Sequence, residues 1–183
     1  MKRALIIIDI QNDYFPGGRM ELIDMEKAAN NAQQALKLFR TRKLPIFHIQ
    51  HVSIRPDATF FLPETNGVEI HQSLAPKNGE FIIEKHFPNA FRNTSLNERL
   101  QGLNVEEIVI CGAMSHMCID STVRAAFDLG FRCLLISDAC ATKNMKHGEI
   151  AVDALHVHAA FMAALSGLFA EIINVIELEN CLV

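Results

Sequence analysis

Isoleucine-rich apolar runs punctuate the chain at intervals, and polar or turn-forming residues end each of them. Ala4 to Ile8 is continuous and apolar, the pattern of a central parallel strand covered on both faces, and Asp9 ends it. Gln11, Asn12 and Asp13, followed by Pro16-Gly17-Gly18, carry strong turn chemistry. Ala28, Ala32, Ala35, Leu36 and Phe39 then fall on one helical face, which predicts a helix from an N-cap at Asp24 to about Arg40, with basic residues late. Pro45 opens a second strand reaching about Gln50. The section from 52 to 80 is irregular, with Pro56, Pro63, Asn66-Gly67, Pro76 and Gly79, and contains one short helical turn near Val68 to Leu74. Connections of that length often act as lids or binding loops, and equally often are surface excursions.

The second half repeats the alternation. Phe81 to Glu84 is a short strand leading into Lys85. Ser95 and Glu98 fit a capping box for a helix through Leu100, stopped by Gly102. Glu107 to Cys111 is a fourth strand, broken by Gly112, and Cys118 falls where the next helix begins. Ile119, Val123, Ala126 and Phe127 mark that helix and Gly130 closes it. Phe131 to Ile136 is a fifth strand. A long helix from about Gly148 to Leu165 is expected to bury Ile150, Ala154, Val157, Phe161 and Leu165, and Ile172 to Ile176 is a sixth strand. Strands alternating with helices predict a single α/β domain over 1–183: a three-layer, doubly wound sandwich on a mainly parallel six-stranded sheet of order 3-2-1-4-5-6. In such sheets ligands bind beyond the carboxyl ends of the strands, where the order reverses. Asp9, Lys85 and the Cys118 loop all open onto that edge.

Composition adds limits. With 183 residues, half of them hydrophobic and 21% charged, the chain can bury a sizeable core. Seventeen basic residues against 21 acidic ones and no basic run argue against nucleic acid as the partner. The five cysteines are odd in number and lack CxxC spacing, and Cys111 and Cys133 lie within apolar strands, so a reducing cytoplasm is expected rather than a disulfide framework. Ala4 to Ile8 is too short for a signal segment, and polar residues interrupt 159–176 as a membrane span, so no membrane partner is expected.

Asp9, Lys85 and Cys118 together suggest nucleophilic chemistry. A thiol needs a base to take its proton and positive charge to favour the anion. Asp9 can serve as the base if burial raises its pKa, and Lys85 supplies the charge. The unpaired N–H groups at a helix start would further favour a thiolate at Cys118. The loop before it can aim backbone N–H groups at a developing oxyanion.

Asp9-Ile-Gln-Asn-Asp-Tyr-Phe-Pro-Gly-Gly18, Glu84-Lys85 and Gly112-Ala-Met-Ser-His-Met-Cys118, continued by Ser137-Asp-Ala-Cys-Ala141 and the stretch from His158 to Glu171, resemble the isochorismatase-like cysteine hydrolases. That family includes nicotinamidases and N-carbamoylsarcosine amidases. The resemblance spans nearly the whole chain. It implies an Asp9–Lys85–Cys118 triad, a cis peptide between Ala113 and Met114, an oxyanion hole from the backbone N–H groups of Met114 and Cys118, and a homo-oligomer, dimer or tetramer. The nucleophilic cysteine points toward hydrolysis of a small amide or carbamoyl compound and away from vinyl-ether hydrolysis.

The family's metal-binding nicotinamidases carry Asp-x-His after the second strand, and Phe47-His-Ile-Gln-His-Val-Ser53 lacks it. His48 and His51 are three apart and face opposite sides of a strand. His156 and His158, two apart on a helix, do not face one another. His51, Asp57 and His71 read as solvated loop residues. No catalytic metal and no cofactor are therefore expected. Phe15, Phe91, His116 and Met117 are the substrate-pocket candidates, with Phe60 and Phe61 behind them, and Arg92 is a candidate for a substrate carboxylate. Two alternatives stand beside the amidase: a metal-assisted nicotinamidase, and a non-catalytic redox-sensing or small-molecule-binding protein using Cys118.

Overall fold

A computed structural model describes residues 1–181; Leu182 and Val183, the last two of the expected domain, lie outside the described residues. In chain order the elements are β1 (Arg3–Ile8), α1 (Met25–Thr41), β2 (Ile46–His51), β3 (Phe81–Lys85), α2 (Leu96–Gly102), β4 (Glu107–Ala113), α3 (Asp120–Asp128), β5 (Arg132–Ala141), β6 (Met145–His147), β7 (Ile150–Val152), α4 (Ala154–Leu165), β8 (Glu171–Ile173) and α5 (Val175–Cys181). Six strands pair in parallel in the order β3-β2-β1-β4-β5-β8, the doubly wound order expected.

Alternation along the strands sorts the core into two layers. Leu5 and Ile7 of β1, with Val109 and Cys111 of β4, bury against Ala28, Ala32, Ala35, Leu36 and Phe39 of α1 and Leu178 of α5. Ala4, Ile6, Ile8, Ile108 and Ile110 face the other way, onto Leu96 and Leu100 of α2, Val123 and Ala126 of α3 and Met162 and Leu165 of α4. Both faces of β1 and β4 are thus covered, which is why their runs are continuously apolar.

Several element ends differ from the sequence pattern. The expected helix from Gly148 starts only at Ala154, because Asp153 caps it by accepting from the His156 N–H at 3.0 Å. Residues 145–152 instead form the antiparallel hairpin β6–β7, and Ile150 is exposed there rather than buried. Phe161 is half-buried, and Phe127 faces outward beyond the α3 core stripe.

The expected sixth strand stops at Ile173, since Asn174 and Glu177 form a reciprocal cap: the Glu177 N–H donates to Asn174 Oδ1 and the Asn174 N–H to Glu177 Oε2. That arrangement starts α5. Ser95 does not cap α2; its hydroxyl accepts from Arg99 Nε, while Thr94 Oγ1 accepts from the Leu96 N–H. Asp24 precedes α1 in a left-handed conformation without a side-chain cap.

Candidate active site

The carboxyl ends of neighbouring strands build the site. Asp9 directly follows β1, His51 ends β2 and Lys85 ends β3. Asp9 sits in the left-handed region at φ 51°, which an aspartate tolerates. Its backbone is held there: the Asp9 N–H donates to Ile49 O, and its carbonyl accepts from Gln11 N–H. Cys118 arrives from the far side of the order reversal. β4 pairs with β1 as far as Ile8 and Gly112, and any Cβ on Gly112 would overlap the Ile8 carbonyl. The Ala113–Met114 peptide is cis. The Met114 carbonyl then accepts from Met117 N–H at 3.0 Å and Ile119 N–H at 3.2 Å. The second of these spans five residues, so Ser115–Ile119 is a wide turn ahead of α3, and Cys118 lies within this turn rather than at the first residue of a regular helix.

The three side chains converge. Lys85 Nζ lies 2.8 Å from Asp9 Oδ2 and donates to Cys118 Sγ at 3.3 Å and to the Phe87 carbonyl at 3.2 Å. All three residues are buried, Cys118 being 3% exposed and the other two 0%. Burial raises the Asp9 carboxyl above its ordinary value, against the pull of the Lys85 charge. Burial also opposes the charge on Lys85, yet Asp9 and Cys118 outweigh it and hold the ammonium above its usual pKa. Burial, and then the Asp9 charge, push the Cys118 thiol up while Lys85 opposes. Burial and the Asp9 charge thus favour a protonated sulfur over the thiolate that a helix start alone would favour. A carboxylate of raised basicity beside a protonated sulfur is the pairing that general-base activation requires.

The segment after β2 covers this centre. Phe61 packs on Tyr14 with ring centroids 4.6 Å apart and reaches His51 at 5.9 Å. The Phe61 N–H donates to Asp13 Oδ2 at 2.6 Å, and Ser53 takes the carbonyls of Phe60 and Phe61. Gly67 has no side chain because the Asp13 carboxylate fills that space. Part of the 52–80 section is thus a pinned cover over Tyr14 and His51. Sequence pattern read Asp13 only as a turn residue and gave Tyr14 no role; their contacts depend on chain some fifty residues away.

The pocket candidates scatter. Phe15 is buried and stacks on His71 at 3.7 Å, beside a cleft of about 440 Å³ lined by Asn12, Arg19, Asn66 and Gly67. Phe91 stacks on Phe131, which directly precedes the amino end of β5. His116 is held by Thr142 Oγ1 at 2.6 Å and edges onto Phe161; Met117, beside Cys118, is 40% exposed. Arg92 lies over the ring of Phe87 at 3.7 Å, the residue whose carbonyl accepts from Lys85.

His51 is the residue whose placement departs most from expectation. It is the last residue of β2, half-buried, and its Nδ1 lies 2.8 Å from Lys85 Nζ. The other histidines weighed as metal ligands go elsewhere: His48 pairs with Glu80, His71 with Phe15 and Ser73, His156 with Asp153 and His158 with Ser115. Asp57 pairs with Arg55 at the surface. Asp9, His51 and Cys118 each offer one metal-ligand atom, all within 4.8 Å of one another. The Lys85 ammonium, however, contacts all three. A metal bound there would share the space with a buried positive charge, so the donor set does not fit a resident cation unless Lys85 leaves or loses its proton.

The model of the isochorismatase domain family matches residues 3–176. The chain is 52% identical over 172 residues to the uncharacterized isochorismatase family protein YddQ of Bacillus subtilis (strain 168), covering 94% of this chain and 96% of that one. A crystal structure from Oleispira antarctica assigned to the isochorismatase hydrolases superposes with a TM-score of 0.93 at 43% identity, covering 97% and 95% of the two chains. Nicotinamidase 3 of Arabidopsis thaliana is 29% identical over 153 residues, 77% of this chain and 74% of that protein. Among the described residues no helix is long and apolar enough to cross a membrane.

Proposed function

The chain belongs to the isochorismatase family of hydrolases, and from that premise we propose that it hydrolyses a C–N bond of a small amide or carbamoyl compound through a thioester on Cys118. The observation that carries this reading is the convergence of one ammonium on a buried carboxylate and a buried thiol, at 2.8 and 3.3 Å. The name of the plant relative, a nicotinamidase, fits the same bond type.

Asp9 takes the proton from Cys118 as the sulfur attacks the carbonyl carbon. The C–S bond forms and the carbonyl oxygen becomes an oxyanion, received by the backbone N–H groups of Met114 and Cys118. Asp9 then gives its proton to the nitrogen, the C–N bond breaks, and ammonia or an amine departs. Water attacks the thioester with Asp9 again as base; the C–S bond breaks, the acid leaves, and the sulfur regains its proton. Lys85 keeps its proton throughout and balances negative charge as it moves between carboxylate, sulfur and oxyanion.

The sensor alternative is less well supported, because sensor cysteines are exposed and of low pKa whereas Cys118 is buried with its pKa raised. The metal-assisted alternative meets the ammonium already among the candidate ligands. A panel of small amides and ureido compounds, screened for ammonia release with and without chelator, tests the proposal. Turnover should survive chelation and be abolished in Cys118→Ala and Cys118→Ser, with the melting temperature of either variant close to that of the parent. A Cys118→Ala protein with full activity would end the covalent mechanism.

A further inference from the structure

β2 and β3 end together, and their last residues, His51 and Lys85, are register partners. Partners on adjacent strands leave the sheet on the same face, which sets the imidazole beside the ammonium. Lys85 Nζ has three N–H bonds and four acceptors around it: Asp9 Oδ2, His51 Nδ1, the Phe87 carbonyl and Cys118 Sγ. An ammonium only donates, so His51 Nδ1 must accept, and the imidazole proton resides on Nε2. The His51 backbone is itself clamped. The Gln11 side chain donates to the His51 carbonyl at 2.9 Å and accepts from the His51 N–H at 2.8 Å, and it donates onward to Val68 O at 2.7 Å. Gln11 is fully buried two residues after Asp9, so it locks the end of β2 to the turn that carries the carboxylate.

We propose that His51 is a positioning residue of this site: by accepting from Lys85 it fixes where the ammonium's remaining N–H bonds point, and so holds Asp9, Lys85 and Cys118 in register. The proposal rests on the hydrolase reading for its consequence in turnover, but not for its geometry. The titratable groups that bear on this imidazole come from the ends of β1, β2, β3 and β4. They are Asp9 after β1, Arg55 beyond β2, Lys85 at the end of β3 with His86 next to it, and Cys118 after β4. Burial, followed by the Lys85 charge, lowers the His51 pKa to about 3, so the ring stays a neutral acceptor across the working range.

The test compares the parent with His51→Leu, which removes the acceptor, and His51→Asn, which keeps one. The rate of Cys118 alkylation by iodoacetamide is followed against pH with peptide-resolved mass spectrometry, a readout that needs no substrate. In His51→Leu the ammonium loses the partner that fixes its rotation and no N–H is held on the sulfur, so the thiolate is stabilised less well and the profile should move to higher pH. A displacement of about one unit reads as alkylation roughly tenfold slower at fixed pH. His51→Asn should lie close to the parent, and kcat on any amide turned over should follow the same order with KM little changed. A Leu profile that superposes on the parent, or an Asn profile displaced as far as Leu with both proteins folded, overturns the proposal. If neither variant folds, ¹⁵N-histidine NMR of the parent decides. His51 held as the Nε2–H tautomer from about pH 5 to 9 upholds the assignment, and a proton on Nδ1 refutes it. Displaced alkylation in a protein that hydrolyses no amide would sink the hydrolase reading and leave the role of His51 standing.

Discussion

Gly112 is where a single atom matters most to the site. Its φ of 127° lies in the region that favours glycine, and an added Cβ would overlap the carbonyl of Ile8, the residue before Asp9. Gly112→Ala should therefore destabilise the fold by about 2 kcal/mol or more, measured as a lowered urea midpoint; an unchanged midpoint would contradict the close approach of β1 and β4. The sequence marks Gly112 only as the end of an apolar run, because the residue it must avoid lies a hundred positions away. The same holds for His51. Nothing local to Phe47–Ser53 says that its neighbour is Lys85, and only the β2–β3 register brings the two together. Asp9, Lys85 and Cys118 were legible differently: each stands at or beyond the end of an apolar run, and the motifs around them match a known family pattern.

At the scale of elements, Glu80 ties three segments together just ahead of β3. It accepts from Arg40 of α1 at 2.6 and 2.9 Å and from the Lys77 N–H at 2.9 Å, and it pairs with the buried His48 of β2 at 2.8 Å. These hydrogen bonds, from Arg40 first, overcome the cost of burial and lower the Glu80 pKa from 4.5 to about 2. The native state thus binds fewer protons than the unfolded chain within that window. The contribution of Glu80 is complete above pH 4.5 and is lost as pH falls toward 2. Burial lowers the His48 pKa as well, so it too takes stability away on acidification. Urea midpoints measured across this range should fall less steeply in Glu80→Gln than in the parent; parallel slopes would show that the cluster does not carry the acid sensitivity. Element ends were the least legible feature of the sequence. The Asp153 and Asn174–Glu177 caps are ordinary N-cap patterns, but the apolar residues beside them, Ile150 and Ile176, extend the periodicity past the true ends and mask them. Both side chains turn out to be exposed, at 68% and 73%.

For the whole molecule, the sheet order follows from a few continuous apolar runs and the right-handed crossover rule, which is why it could be read before any contact was known. That order alone brings the ends of β1, β2 and β3 and the turn after β4 to one rim. The cover over the rim could not be read, since Phe61 is pinned on Asp13 and Tyr14 through contacts between segments with no shared periodicity. The central claim is that this buried sulfur becomes covalently bonded to the acyl part of its substrate. Protein mixed with a turned-over amide and quenched in acid within the first turnovers, then digested and weighed, tests it most directly. The account predicts the acyl mass on the peptide containing Cys118, absent from Cys118→Ala and discharged on further incubation. Turnover with no adduct at Cys118, or with an adduct confined to another residue, would contradict it.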